Sequence, residues 1–283
     1  MSSIVKRVIV ENKLSHPDCV TSGLHYEVAT GSVAYGTSGY GSDLDIYGFA
    51  IPPKEDIFPH LRGEILGFGR YAKRFDQWQA HHVKDKIIEN RNYDFTIFNI
   101  VKFFSLCMEN NPNMIDVLYV PENCMLFSTD IGKFVRNNRK LFLHKGCWYK
   151  FKGYAYSQMH KMRIKNPEPG SKREESIKIF GYDTKFAMHL VRLLLEVEQI
   201  LTEGDLDLQR HKDQLRTIKD GEWTQKRVED FFAKKELSLE KVYNECDIIP
   251  YKPDEKAIKK LLLECLRMEY GSLEDCICLQ ENK

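Results

Sequence analysis

Residues 30–47 read TGSVAYGTSGYGSDLDIY, from Thr30 to Tyr47. A Gly-Ser pair, Gly31 and Ser32, precedes two carboxylates, Asp43 and Asp45, set one residue apart around Leu44. Side chains alternate across a strand, so the two acids project from one face. Two ionised carboxylates on one face repel each other and become favourable once a divalent cation lies between them; hard oxygen ligands of this kind suit Mg²⁺. A glycine-containing turn just upstream offers backbone N–H groups to a phosphate. Together these residues predict the metal-and-phosphate site that phosphoryl or nucleotidyl transfer needs. An isolated Asp-x-Asp is common in solvent-facing turns. Here the upstream turn, the following Gly48 and a third acid, Asp94, within Tyr93-Asp94-Phe95-Thr96-Ile97 weigh against that reading. An acid flanked by strand formers is unfavourable without a partner or a cation.

The composition around this stretch is that of an ordinary globular chain. Its 283 residues suit one large domain or two ordinary ones, and 42% hydrophobic with 29% charged residues gives ample core. A formal net charge of +1 argues neither for nor against nucleic acid, since patches matter more than totals. The eight cysteines form no C-x-x-C pair, which gives a zinc site little support; the closest, Cys276 and Cys278, read as incidental. The start, MSSIVKRVIVENK, lacks the apolar run of a signal peptide, and no apolar run approaches a membrane span, so a reducing cytoplasm and no membrane partner are expected.

Residues 3–11 carry branched apolar residues at the density of a strand or a short buried helix. Tyr26–Ala29 and Asp43–Ile51 read as strands, the second ended by Pro52-Pro53. Residues 54–82 are Gly-rich and polar and predict loops and short elements; His81, His82 and the nearby Arg70, Lys73 and Arg74 are taken as loop residues. Asn92–Phe98 alternates as a strand and runs into a helical pattern at Ile100, Phe103, Phe104, Cys107 and Met108. Asn110-Asn111-Pro112-Asn113 breaks it, and a short apolar element ends at Pro121. Beyond about residue 128 helices take over, at 129–143, 147–165, 174–203, 224–234 and 256–270, with an exposed loop at Asn166–Ser171.

The pattern h-G-S-x10-D-h-D-h, with a later strand of form h-D-h-x-h, resembles the nucleotidyltransferases of the DNA polymerase beta superfamily. The finer text AYGT…GSDLDIYG, YDFTIFNIVKFF, NNPNMIDVLYVP and GYDTKFAMHLVR is similar to a narrower group of stand-alone enzymes from RNA repair neighbourhoods, over about residues 28–200. The resemblance implies an α+β architecture. A minimal nucleotidyltransferase fold, a small mixed sheet with helices, would cover residues 1–125, and an all-helical domain at 126–283 would close one side of the cleft. It implies that Gly31, Ser32 and Ser42 bind the nucleotide's phosphates and that Asp43, Asp45 and Asp94 hold two Mg²⁺ (or Mn²⁺) ions, with Asp94 also helping to ionise the incoming hydroxyl. Asp76, in Arg74-Phe75-Asp76-Gln77-Trp78, is the rival third acid, with polar flanks. The implied reaction moves an NMP from an NTP to a hydroxyl acceptor, an RNA end such as that of tRNA. Alternatives are a protein or small-molecule acceptor, and a relative that binds RNA or nucleotide without catalysis.

Lys185, His189 and Arg192 are spaced to share one stripe of a helix whose other side, Phe186, Leu190, Leu193, Leu194 and Val197, suits a core. The resemblance makes the stripe a nucleotide- or RNA-phosphate contact rather than a solvated face, so Arg192→Ala is expected to weaken binding without unfolding the protein. A second basic run, Lys133 to Lys165, is interleaved with aromatics and almost free of acids. Either it offers phosphate contacts and stacking platforms for unpaired bases, or its aromatics pack the helical core while its lysines solvate it.

Overall fold

The computed structural model describes residues 2–39, 43–89, 91–164, 167 and 169–276. Ser42 lies outside these residues, as do Asn166 and Glu168 of the expected loop and Cys278. The architecture is α+β. Five strands, β1 (Leu24–Ala29), β2 (Leu44–Ala50), β3 (Gln77–Lys84), β4 (Asn92–Asn99) and β5 (Met125–Ser128), form one mixed sheet in the order β3-β4-β2-β1-β5. Only β2 and β4 run parallel; the other neighbours are antiparallel.

The two faces of this sheet follow the period of two. Ile46 and Ala50 of β2 and Tyr93, Phe95 and Ile97 of β4 face one way, onto α1 (Ile4–Asn12) and α2 (Cys19–Ser22), with Val5, Val8, Ile9 and Val20 completing the smaller core. Residues 3–11, open between strand and helix in sequence, therefore belong to a helix. Ser3 caps it, its Oγ accepting from Lys6 N at 3.0 Å. Phe49 and Phe98 face the other way, onto the larger core, where the Phe49 and Phe103 rings lie 4.9 Å apart. Asp45 and Asp94 share that second face by the same alternation.

The larger core is built by the helices that follow. After α3 (Gly31–Ala34) and α4 (Lys54–Ile57) come α5 (Ile100–Met108), α6 (Pro112–Tyr119), α7 (Asp130–Asn137), α8 (Cys147–Ile164), α9 (Lys172–Phe180), α10 (Thr184–Glu203), α11 (Lys212–Lys219), α12 (Gln225–Glu245) and α13 (Glu255–Tyr270). The long helix expected at 174–203 is two. Gly181, at φ +81°, ends α9, and the Asp183 carboxylate starts α10 by accepting from Lys185 N at 2.9 Å and Phe186 N at 3.1 Å. Asn111 and Pro112 open α6 in the same way, so the short apolar element after the break is a helix. α10 packs on α8, α11 and α12, and one apolar core runs from the sheet into them.

Two strands escaped the sequence reading. β3 covers the stretch expected to be loop and includes His81 and His82, because it is an edge strand. It pairs with β4 alone, buries only Trp78 and Val83, and is bulged between Ala80 and Val83, so no apolar alternation marks it. β5 is four half-buried residues on the opposite edge, and the expected 125/126 boundary falls within it.

Glu27 ties the layers together. It is fully buried on β1, yet its carboxylate receives Ser3 Oγ at 2.5 Å and the amides of Ile4 and Val5 at 2.9 and 3.3 Å, which are open donors of the first turn of α1. Removing it strands those donors in the interior. Glu27→Ala is expected to lower the unfolding free energy by about 2–3 kcal/mol, read from urea denaturation.

Candidate active site

The site begins with a contact that only glycine permits. Gly31 sits at φ +63°, and a Cβ there would collide with Oδ2 of Asp45. The adjacent Thr30 donates both its N–H (2.8 Å) and its Oγ1 hydroxyl (3.2 Å) to the backbone carbonyl of Asp45. The Gly-Ser turn is thereby laid directly against the second acid. Ser32 continues the turn, its carbonyl accepting from Thr37 N at 2.8 Å.

The third acid arrives through strand pairing. Asp45 and Asp94 are direct partners in the parallel β2–β4 ladder, so their side chains stand next to each other on the face toward the helices. Burial, then the charge of Asp94, pushes the Asp45 carboxyl above its ordinary range, while Lys185 pulls the other way and Asp43 adds to the repulsion. Asp43 is exposed at the start of the strand, where its Oδ1 receives Asn92 Nδ2 at 3.4 Å. Asp94 Oδ1 receives His82 N at 2.7 Å and lies 3.6 Å from His81 Nδ1. The β3 bulge makes this possible by holding His82 at φ +54°. Asp76 is elsewhere. Its carbonyl accepts from Asn99 at the opposite end of β4, and its carboxylate pairs with Lys102 at 3.7 Å.

The donors suit a divalent cation, being hard oxygens on one face whose mutual repulsion a cation would relieve. Among the described residues, however, no three Asp, Glu, His or Cys side chains converge into a metal cage as they stand.

A cavity of about 710 Å³ opens beside the acids. Gly31, Asp45 and Tyr47 form its sheet wall, Asp116 comes from α6, Tyr154 and Lys161 from α8, Arg173 from α9, and His189 and Arg192 from α10. Asp43, Asp94, Ser32 and Lys185 are not in its lining. Asp43, Asp94 and Lys185 nevertheless lie close enough to Asp45 to shift its carboxyl.

The expected stripe on α10 divides into three different roles. Lys185 is exposed and makes no ion pair among the described residues. His189 is held well below the usual imidazole range by burial and by the charges of Arg192, Lys185, Arg173 and Lys161, so it is neutral at neutral pH, and its Nδ1 has no hydrogen-bond partner. Arg192 is no surface cation. It is 4% exposed, its Nη1 donates to Asp116 Oδ2 and to both oxygens of Glu196 at 3.0 and 3.2 Å, and its guanidinium lies 4.1 Å from the centre of the Tyr35 ring. Tyr35 donates its hydroxyl to the same Asp116 oxygen at 2.6 Å. The structure argues against the expectation that Arg192→Ala leaves folding intact, because the substitution would leave two acids buried without their cation.

Tyr35, Asp116 and Glu196 were missed by sequence reasoning. Asp116 carried a usable signal, an acid inside the apolar run Met114-Ile115-Asp116-Val117-Leu118, and Glu196 stands one helical turn after Arg192. Arg192→Ala is expected to cost about 3–5 kcal/mol of stability. Asp116→Asn should cost less in that background than in the wild type, a non-additivity measurable by urea titration of the single and double variants.

Comparison with known proteins completes the description. Over 146 residues the chain is 27% identical to an uncharacterised 38.9 kDa protein from the nrdC-mobD intergenic region of Enterobacteria phage T4; the match covers 51% of this chain and 40% of that relative's length. A nucleotidyltransferase-like protein from Exiguobacterium sibiricum 255-15 aligns over 93% of this chain and 79% of its own, with 8% identity and a TM-score of 0.30, too distant to bear on fold or chemistry. The profile of the RNA repair pathway DNA polymerase beta family matches residues 6–251, and the chain belongs to that family.

Proposed function

We propose that the protein transfers a nucleoside monophosphate from an NTP to the hydroxyl of an RNA end, with Mg²⁺ as cofactor. The observation that carries the reading is the pairing of Asp45 with Asp94 beside Gly31, at the wall of a cavity bearing cations. In the proposed reaction the hydroxyl oxygen attacks the α-phosphorus, the bond to the bridging oxygen breaks, and pyrophosphate leaves. Asp94 accepts the hydroxyl proton. Gly31 and Ser32 bind the triphosphate, and Lys161, Arg173 and Lys185 supply positive charge for it. Neutral His189 can hydrogen-bond a phosphate oxygen without adding a charge that would have to be buried. Asp43, Asp45 and Asp94 would hold the divalent cation, which when bound offsets their charge and stabilises the attacking and leaving oxygens.

The RNA acceptor rests on the family description rather than on the basic run of α7 and α8. Phe142, Trp148 and Phe151 of that run are fully buried. Among the described residues, six of its ten cations are ion-paired: Lys133 with Asp130, Arg136 with Glu122, Lys140 with Asp205, Lys150 with Glu109, Lys152 with Glu236 and Glu240, and Arg163 with Glu229. The run is chiefly a packed and ion-paired face, and it gives no preference for RNA over a protein or small-molecule hydroxyl.

Labelled NTP, Mg²⁺ and bulk tRNA distinguish the acceptors. Label is expected in RNA; label confined to protein or small molecules would overturn the acceptor, and RNA binding without transfer would overturn the reaction. Asp43→Asn and Asp45→Asn should each reduce transfer by about a hundredfold or more while the protein stays folded, and near-wild-type transfer in either would remove that residue from the site. Because the Asp45 carboxyl keeps its proton to higher pH than an ordinary carboxylate, proton and cation compete there. Mg²⁺ affinity, followed by calorimetry, should weaken as pH falls through a range above that of ordinary carboxylates, and Asp45→Asn should abolish that dependence.

A further inference from the structure

One residue of the cavity breaks the logic of its own helix. Gly153 lies in the interior of α8, six residues after its first residue, Cys147, and far from either cap, where glycine is among the poorest helix formers. Packing does not call for it: a Cβ built there would meet no atom within 4 Å. Nor does the backbone, since Gly153 is not among the glycines with positive φ. What the missing side chain does leave is space, because Gly153 lines the cavity.

The surroundings of that space have a consistent chemistry. Tyr149, one turn earlier, is fixed edge-on against Tyr243 with ring centres 5.3 Å apart. Tyr154, the next residue, has its hydroxyl held by Asn111 Nδ2 at 3.0 Å. Two anchored aromatic rings thus flank the gap. Gln158 lines the same wall and makes no side-chain hydrogen bond among the described residues, so its amide has both a donor and an acceptor to offer. Lys150, the lining cation three positions before Gly153, is paired with Glu109 at 3.0 Å. Lys161, which makes no ion pair among the described residues, stands eight positions after Gly153, about 12 Å down the helix axis. Along α8 the wall is therefore aromatic around Gly153, hydrogen-bonding at Gln158 and cationic at Lys161, an order that matches a base at the Gly153 end, its edge toward Gln158, and phosphates at the Lys161 end.

We infer that the stretch of α8 around Gly153 is the nucleobase subsite of the cavity, with Gly153 kept small so that the base of an NTP can lie against the helix between Tyr149 and Tyr154. This rests on the reading of the cavity as an NTP site. Gln158 then hydrogen-bonds the base edge and contributes to base preference.

The test separates base from phosphate. Wild-type protein, Gly153→Ala and Gly153→Leu are titrated calorimetrically in Mg²⁺ with each of the four common NTPs and with inorganic tripolyphosphate, and their thermal midpoints are recorded. Leucine is a better helix former than glycine and its Cβ would meet no atom within 4 Å, so Gly153→Leu should melt no lower than wild type. It should nevertheless bind NTP at least about tenfold more weakly, with tripolyphosphate affinity unchanged and Gly153→Ala intermediate. Undiminished NTP affinity in Gly153→Leu, or an equal loss for NTP and tripolyphosphate in a folded variant, would overturn the subsite. Wild-type protein that binds neither ligand would instead overturn the nucleotide reading of the cavity, and the subsite with it.

Discussion

The Arg192 guanidinium is the point at which the helical layer is locked to the sheet. It lies between acids from two helices, Asp116 of α6 and Glu196 of α10, and over the ring of Tyr35, which follows the Gly-Ser turn. Taking one cation and two carboxylates out of water is expensive, and burial pushes both acids upward against the pull of Arg192. Such a cluster persists only while its geometry is kept, and that requirement is what makes it useful. Tyr35 cannot move without breaking its bond to Asp116, and the turn that begins at Gly31 is held at a defined place against α10. A cluster of this kind need not add stability; it selects one arrangement of the two layers.

The cavity is a consequence of that arrangement. Its sheet wall carries the negative charge of Asp45, which Asp94, outside the lining but directly across the parallel ladder, reinforces rather than cancels. Its helical wall carries positive charge that surrounds a neutral histidine. A ligand bearing both a cation and phosphates would satisfy each wall, and this complementarity is the physical basis of the proposed phosphoryl chemistry. Gly31 makes the close approach possible because glycine adopts φ +63° without a steric penalty, and it places turn and acid in direct contact.

Legibility in the sequence followed the strength of local pattern. The β1-turn-β2 unit, β4 and α5 were readable because apolar alternation, a glycine turn and helical spacing all occurred where the chain used them. β3 was not, because an edge strand with one neighbour and a bulge buries too few residues to leave a period. The break between α9 and α10 was written in Gly181 and Asp183, a helix stop and a helix start that periodicity alone passes over. The basic run on α8 left two readings open for another reason. Its local shortage of acids is real, but α12 and neighbouring segments supply them across the fold, at Glu236, Glu240, Glu109 and Glu229.

The sequence by itself determined the family, the α+β class and the candidacy of Gly31, Ser32, Asp43, Asp45 and Asp94, because each depends on spacing within a short segment or on the order of such segments. Only the tertiary structure decided that Asp94 rather than Asp76 stands beside Asp45, since strand register is a long-range property. It also decided that Arg192 is a buried strut while Lys185 is exposed, although both had been read onto one helical stripe. Helical spacing gives a side chain its direction; what waits in that direction, solvent or a carboxylate from a distant helix, is set by packing alone.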